Sequence, residues 1–283
     1  MAAQSRYASR QVALLTQHGK QEVIAPVLEP ALGCRIEWVS GFETDQLGSF
    51  TRETPRPGSQ LEAARRKARK GMELAGLSLG LASEGSFGPD PFTGMFPWNV
   101  ELLVWIDDEL GIEVVGMAQA AAPSGHLQSG DWQAIEAFAL AEGFPQQQLV
   151  LRPNGPNDPN IHKGIQDPAQ LRQCFEACLA QSSHRQVFAE LDLRAHANPR
   201  RMKLIEQAAA DLLQRIQSLC PACDAPGFWI SERIAGLPCA DCGLPTSSYR
   251  SERWCCPRCQ HQEIKPRTDR LLADSKHCFT CNP

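Results

Sequence analysis

The sequence lacks the features of a membrane protein or an exported one. No run approaches about 18 apolar residues, the length that suggests a membrane span, and the first ten residues contain no apolar signal core. Positive charge is not in excess, because 28 lysines and arginines stand against 32 aspartates and glutamates. Hydrophobic residues make up 42% of the chain, which argues against global disorder. We therefore expect a folded cytoplasmic protein that works without a membrane.

Cysteine, in contrast, is abundant and unevenly placed. A two-residue gap lets one tight turn direct two thiolates at one metal, and tetrahedral zinc takes four such ligands. In a reducing compartment dense thiols are metal ligands rather than disulfides. Eight of the twelve cysteines form four Cys-x-x-Cys pairs, namely Cys220/Cys223, Cys239/Cys242, Cys256/Cys259 and Cys278/Cys281. The spacing predicts two structural zinc ions in a double zinc-ribbon module over residues 219–283.

Spacing alone leaves the pairing of the four motifs open. Pairing the first motif with the second and the third with the fourth is narrowly favoured. Nested and interleaved pairings also fit the spacing. Eight thiolates close both coordination shells, so neither zinc would keep a position for water. Eight Lys/Arg nearly balance seven Asp/Glu in this module, and two Zn(Cys)₄ centres of about two negative charges each make it net negative, which disfavours nucleic acid. We expect a structural role for the module, with docking to a protein rather than to nucleic acid.

The segment before the cysteine pairs predicts an α/β domain over residues 11–218. Apolar runs predict strands at 12–15, 35–39, 79–82, 101–106, 112–117, 149–151 and 187–191. Amphipathic stretches predict helices at 21–32, 60–75, 132–142, 169–180 and 200–219. The segments 101–107 and 112–119 indicate a β-hairpin, because a short polar turn separates them. We therefore expect a mixed sheet with flanking helices.

Two polar segments of this domain carry groups suited to phosphate and metal. Thr16–Lys20 follows a strand and opens a helix, so free N–H groups and the Lys20 ammonium could cradle a phosphate. Glu62 and Glu84 could meet at one Mg²⁺, which prefers carboxylate oxygen. Glu62 also has a purely structural explanation, because Ser59 three residues earlier forms a capping box with it. Glu84 beside a glycine at a strand end has no such explanation.

A third group gathers basic and imidazole side chains downstream. Strand ends of an α/β sheet are where ligands bind, and several cations at such ends suit an anionic, phosphate-bearing ligand. The residues of this group are Arg152, His162, Lys163, Arg194, His196 and Arg200. A further acid would be needed to complete a catalytic metal site, and its candidates are Asp90, Asp107 and Asp192.

The first two segments resemble motifs of the inosine/xanthosine triphosphate pyrophosphatase (ITPase-like) superfamily. That family opens with strand, Thr-x-Asn-x-x-Lys and helix, and continues with Leu-Glu-x-Ala-Arg-x-x-Ala and a strand ending in Gly-x-Glu-Gly-Gly. Residues 61–68 are similar throughout that second motif, residues 83–86 match in part, and Thr16–Lys20 is one residue shorter. The resemblance covers residues 11–180. It implies a magnesium-dependent hydrolase of nucleotides or related phosphate esters, with catalytic Glu62 and Glu84 at the ion and Lys20 on the triphosphate.

The whole chain, with its zinc tail and the stretch 194–202, resembles an uncharacterised bacterial family known only as a domain of unknown function. That resemblance implies no activity. A second hypothesis therefore stands beside the hydrolase: a non-enzymatic adaptor that binds a ligand or a protein and uses the zinc ribbons for docking.

Overall fold

A computed structural model of the protein describes residues 5–40, 58–122 and 125–283. The chain divides into two compact units, one from Met1–Trp105 and Val115–Asp211 and the other from Ile106–Val114 and Leu212–Pro283. None of the helices in the described ranges combines the length and the apolar character that crossing a bilayer requires.

A mixed sheet organises the first half of the chain. Its strands are β1 (Gln11–Leu15), β2 (Arg35–Val39), β3 (Leu79–Pro89), β4 (Pro97–Asp107) and β5 (Ile112–Ala121), in the order β2-β1-β3-β4-β5. β1 pairs in parallel with both β2 and β3, which helices α1 (Gln21–Leu32) and α2 (Gln60–Ala75) connect. The mixed sheet with flanking helices is confirmed. β3, β4 and β5 run four to seven residues beyond the predicted strands at one end, because polar residues, glycine or proline interrupt the apolar pattern there.

Short capping motifs place the helix ends where the sequence predicts them. The Ser59 hydroxyl accepts from the Glu62 N–H while the Ser59 N–H donates to the Glu62 carboxylate, so the capping box of α2 is confirmed. Gly76 ends that helix in a left-handed conformation with φ of 64°. Asp167 caps the helix that begins at Pro168, accepting from the Gln170 N–H at 2.8 Å.

A second sheet contains the strands that the sequence predicts at 149–151 and 187–191. It consists of β6 (His126–Ser129), β7 (Leu149–Arg152), β8 (His162–Ile165) and β9 (Val187–Leu191), all antiparallel, in the order β6-β9-β7-β8. Helices α3 (Trp132–Glu142) and α4 (Pro168–Gln181) contribute Ile135 and Phe175 to one apolar core with this sheet. The sequence does not predict β6 and β8, because each is four residues long with a largely polar, half-exposed surface.

The last helix, α5 (Pro199–Gln217), begins at an asparagine cap, where the Asn198 Oδ1 accepts from the Arg201 N–H at 3.0 Å. After it come β10 (Trp229–Ala235), β11 (Tyr249–Cys255) and β12 (Gln262–Pro266), which form a three-stranded antiparallel meander. The small core beneath this sheet includes Phe228 and Cys256. Cysteine side chains thus take a share of the core that apolar side chains would fill in a larger domain.

Candidate functional site

Buried polar residues collect where β1 ends beside β3. The register pairs Leu14 with Leu81, so Ser83 and Glu84 lie just beyond the last residue of β1. From β1 the chain passes through α1 to β2 on one side, and then returns through α2 to β3 on the other side. Such a reversal opens a crevice at the carboxyl ends of the two strands, which is where open α/β sheets bind ligands.

Lys20 is buried at this crevice, with 6% of its surface exposed. Its Nζ donates to the Ser83 carbonyl at 2.9 Å and lies 3.4 Å from the Ser83 hydroxyl. Burial lowers the pKa of Lys20 to about 7, and the positive charge of Arg201 contributes to the same shift. A lysine with this pKa carries a proton for part of the time at neutral pH and gains it firmly once an anion approaches.

Two ion pairs flank Lys20. Lys67 of α2 contacts the buried carboxylate of Glu84. Arg201 of α5 donates to Glu101 of β4, with 2.6 Å between Nε and Oε1 and side-chain exposures of 1% and 0%. The same guanidinium donates to the Leu193 carbonyl at 2.7 Å.

The described part of this cluster therefore holds three cations (Lys20, Lys67 and Arg201) and two carboxylates (Glu84 and Glu101). A buried charge is costly unless an opposite charge compensates it. When Lys20 is protonated, the cluster carries one positive charge in excess, which favours a bound anion. We call these five residues the cationic cluster.

Gly85 is required for the cationic cluster to pack. A Cβ at this position would collide with the Glu101 carboxylate and the Arg201 guanidinium. Nearby, the Gln60 amide donates to the Glu84 and Val100 carbonyls at 2.7 and 2.9 Å. These bonds tie β3, β4 and the start of α2 together, so the Glu84 carboxylate is held on a rigid backbone.

The first predicted loop lies against part of the third predicted group. His18 stacks on His196 with 4.9 Å between ring centroids, and the pKa of His196 is lowered by its burial and by the neighbouring His18 charge. Thr16 at the start of the loop is buried, and its carbonyl accepts from the Trp38 indole at 2.9 Å. The loop of Lys20 and the short helix Ala195–Ala197 thus border one region of the first unit.

The other predicted phosphate ligands have structural partners of their own. Arg152 on β7 donates to the Asp158 carbonyl and lies 3.5 Å from Glu190. His162 and Lys163 form part of the short edge strand β8. The Arg194 guanidinium donates to the Asp192 carboxylate. Arg200, at the exposed start of α5, lies 3.5 Å from Glu142. These contacts place the side chains elsewhere in the first unit, outside the five residues of the cationic cluster.

Within the described ranges, the predicted acids do not assemble a magnesium site. Glu62 is exposed and accepts from the Ser59 N–H at 2.7 Å, so its carboxylate serves the capping box. Asp107 accepts from two N–H groups of its hairpin turn, and Asp192 pairs with Arg194. Asp90 accepts from four backbone N–H groups between residues 92 and 96, which hold its pKa well below the ordinary range. Of these predicted acids, Glu84 alone lies in the crevice.

Three members of the cationic cluster were not predicted from the sequence. Glu101 begins a fully buried stretch of β4 that continues with apolar residues to Ile106, and Lys67 lies on the buried face of α2 next to Ala68. Arg201 follows the Asn198 cap on the buried side of α5. The signal that could have found them is a charged residue at a position that periodicity assigns to the core.

The eight paired cysteines form two groups, each able to hold a zinc ion. One contains Cys220, Cys223, Cys256 and Cys259, the other Cys239, Cys242, Cys278 and Cys281, with all sulfurs of a group within 4.8 Å of one another. A tetrahedron with Zn–S bonds of about 2.3 Å has edges of about 3.8 Å. Sulfur–sulfur distances of 3.6 to 3.9 Å match that edge.

The leading expectation for the pairing, first with second and third with fourth, is wrong. The motifs interleave, first with third and second with fourth. The antiparallel meander is the reason, because Trp229 at the start of β10 pairs with Cys255 at the end of β11. The first and third motifs therefore meet at one end of the sheet. Ser251 pairs with Pro266 at the other end, where the second and fourth motifs follow.

Comparison with known proteins places the chain in a family. A protein-family profile described as "Domain of unknown function (DUF6671)" matches residues 67–283. The matched range begins at Lys67 and includes Glu84, Glu101, Arg201 and both cysteine groups. No curated protein matches the sequence. Because the match covers most of the chain, the protein belongs to the DUF6671 family of domains of unknown function.

Proposed function

We propose that the first unit binds a phosphate-bearing small molecule at the cationic cluster. The observation that carries the proposal is the excess of buried positive charge, three cations beside two carboxylates, at the crevice between β1 and β3. A phosphate oxygen on Lys20 would supply the absent negative charge and restore the amine's proton. Lys67 is the second ligand, since it reaches the crevice from α2 through Glu84.

We extend the proposal to hydrolysis of that phosphate ester by residues of the cluster. With phosphate bound, Lys20 is protonated and lies beside the ester, so it would act as the general acid and protonate the leaving oxygen. Glu84, once the phosphate occupies Lys67, would accept the proton of the attacking water. The P–O bond to the leaving group breaks as the bond to water forms. Of the acids predicted for a magnesium site, only Glu84 lies in the cluster, so the proposal uses Lys20 and Glu84 alone.

Titration calorimetry and an activity assay test the two steps separately. Inosine, xanthosine and adenosine triphosphates and a simple monoester are offered to the wild type, Lys20→Met, Glu84→Gln and the control Lys70→Met, with Mg²⁺ and with EDTA. Nucleotides come first because residues 61–68 resemble the ITPase-like motif. We expect Lys20→Met to weaken binding at least about tenfold, the size of a lost charged hydrogen bond, and Lys70→Met to leave it unchanged.

The Glu84→Gln variant separates binding from chemistry. Removing a carboxylate from the cluster lessens repulsion of the anion, so binding becomes tighter while turnover is lost. If none of the four compounds binds, the proposal is overturned. Binding without turnover in the wild type rejects the hydrolase and favours the second candidate, a non-enzymatic ligand-binding adaptor.

We propose in addition that both cysteine groups bind zinc in a structural role. Four thiolates leave no open position, and backbone N–H groups already donate to them: the Ala222 and Asp241 N–H groups lie 3.4 Å from the sulfurs of Cys220 and Cys239. Metal analysis of the purified chain should return two zinc ions per molecule. Fewer than about two would reject the proposal, since each closed Cys₄ site takes one ion.

A further inference from the structure

The turn between β3 and β4 exposes large apolar side chains. It spans residues 90–96, which we call the apolar tip. Phe92, Met95 and Phe96 are 79%, 75% and 58% exposed. The Phe92 ring also meets the ring of Trp98 edge-on, with 6.1 Å between centroids, so the tip and the start of β4 share one apolar patch. Isolated exposed apolar residues are ordinary, whereas a cluster of them marks a contact surface.

The backbone N–H groups of the apolar tip all have acceptors within it. The Asp90 carboxylate accepts four of them, at 2.7 to 3.0 Å, from Phe92, Thr93, Met95 and Phe96. The Asp90 N–H donates to the Phe96 carbonyl at 2.8 Å, and the Gly94 N–H donates to the Asp90 carbonyl at 3.0 Å. Pro91 and Pro97 carry no N–H. The tip therefore keeps no backbone donor for an outside acceptor.

The apolar tip also carries no exposed charge. Asp90 is the sole charged residue from Gly85 to Val100, and only 6% of it is exposed. Its carboxylate accepts from the Thr93 hydroxyl at 2.8 Å in addition to the four N–H groups. Hydrogen bonds to an ionised carboxylate are the strong kind, so the charge is compensated inside the tip. An apolar medium can thus surround the tip without leaving a charge unsatisfied.

These properties fit a lipid bilayer better than a protein surface. Hydrocarbon offers no acceptor, so any free N–H group that entered it would be costly. A protein interface instead carries about one hydrogen bond per 100–200 Å² and makes use of free donors. Phenylalanine and tryptophan are residues that enter the boundary between headgroups and acyl chains. The uncharged tip suits neutral headgroups, and the formal net charge of -4 disfavours an anionic membrane.

We propose that the apolar tip inserts into the surface of a neutral lipid bilayer and attaches the protein peripherally. The three exposed side chains enter the boundary of the acyl chains. Trp98, whose indole N–H donates to the Gln119 Oε1 at 3.1 Å, lies at the headgroups. Such an attachment requires no spanning helix. It is independent of phosphate binding at Lys20, because the tip contains no residue of the cationic cluster.

Flotation with phosphatidylcholine vesicles tests the insertion. The wild type should float with the vesicles at about 0.1 M and at about 1 M NaCl, because salt does not screen apolar insertion. Phe92→Ser should weaken vesicle binding at least about tenfold, the effect of removing one buried phenylalanine. The control Leu140→Ser removes a side chain that is 64% exposed on α3, and it should bind like the wild type.

Asp90→Asn tests the hydrogen bonds of the apolar tip separately. Each carboxylate oxygen of Asp90 accepts from two backbone N–H groups, and an amide nitrogen cannot accept. Two N–H groups of the variant therefore need water, which insertion would remove. We expect vesicle binding to weaken at least about tenfold, although loss of a negative charge by itself would favour insertion. An unchanged melting temperature confirms that the variant is folded.

Several results would overturn the proposal. They are a wild type that does not bind the vesicles, release of the protein by high salt, and binding by Phe92→Ser or Asp90→Asn as tight as that of the wild type. A dimer in gel filtration that Phe92→Ser converts to a monomer would also overturn it, since a second copy of the chain would then cover the tip.

Discussion

Arg201 and Glu101 lie 2.6 Å apart, joined by an ion pair from which water is excluded on both sides. Arg172 and Glu176 on α4 are separated by the same 2.6 Å, but about half or more of each side chain is exposed. The contrast between these two pairs predicts very different energetic effects. Breaking a buried pair leaves one charge uncompensated, whereas an exposed pair is replaced by water.

Arg201→Met should therefore lower the free energy of unfolding by about 3–5 kcal/mol, and Arg172→Met by less than about 1 kcal/mol. The double variant Glu101→Leu/Arg201→Met should recover most of the loss, because apolar side chains of similar volume replace both charges. Urea denaturation followed by tryptophan fluorescence measures the wild type and all three variants. A double variant no more stable than Arg201→Met would contradict the explanation.

Gly85 offers a second test of the same packing. Gly85→Ala places a methyl group against Glu101 and Arg201, which should destabilise the protein by about 1–3 kcal/mol through overpacking. Gly88 lies on the same strand, and a methyl group added there would meet no atom within 4 Å. Gly88→Ala is therefore the matched control and should be nearly neutral. Equal melting temperatures for the two variants would show that the space beside Gly85 is not filled.

Lys20 predicts a specific dependence of stability on pH. The unfolded lysine titrates near 10.5 and the folded one near 7, so between these values the unfolded chain binds more protons. Below pH 7 the folded protein bears the full free-energy cost of burying the protonated Lys20 amine. This cost disappears as the pH rises toward 10.5. Lys20→Met should gain most in stability over the wild type at pH 7 and below, with the gain shrinking up to pH 10.5. Urea titrations of both proteins across this range measure the difference, and a constant difference would be inconsistent with a lowered pKa.

The same lysine links ligand binding to protons. Phosphate binds the protonated amine, so affinity should fall as the pH rises above 7, with proton uptake on binding at neutral pH. Calorimetry in two buffers of different ionisation enthalpy detects that uptake. Binding whose heat is the same in both buffers at pH 8 would exclude Lys20 as the group that changes protonation.

Zinc stoichiometry in double cysteine variants tests the interleaved pairing. Cys223→Ser with Cys259→Ser damages one group and should leave one zinc ion per chain. Cys223→Ser with Cys242→Ser damages both groups and should leave none. Sequential pairing predicts more zinc in the second variant than in the first, so native mass spectrometry distinguishes the arrangements directly.

Local signals in the sequence were sufficient for most of the secondary structure. α1, α2 and α3 begin and end at the predicted residues, since caps such as Ser59 and Gly76 act within a few residues of themselves. β6 and β8 were missed because they are stabilised by pairing with β9 and β7 rather than by an apolar pattern of their own.

Only those residues of the candidate site that lie in a recognisable local sequence motif could be predicted. Lys20 and Glu84 stand out beside turns and glycine, whereas Arg201 joins Glu101 across a hundred residues of sequence, a relationship that spacing does not encode. The eight paired cysteines could be identified because Cys-x-x-Cys is a local motif. Their partners depend on the order of strands in the meander, which only the folded chain establishes.

The interleaved cysteine groups also constrain the order of events during synthesis. The first group spans Cys220 to Cys259 and the second Cys239 to Cys281, so the two ranges overlap. The ribosome must deliver the third motif before either group is complete, and by then the two cysteines of the second motif have already emerged. With sequential pairing, a closed site would have formed as soon as the second motif emerged. The nascent module therefore passes through a stage in which four of the paired cysteines have emerged and neither group of four is complete.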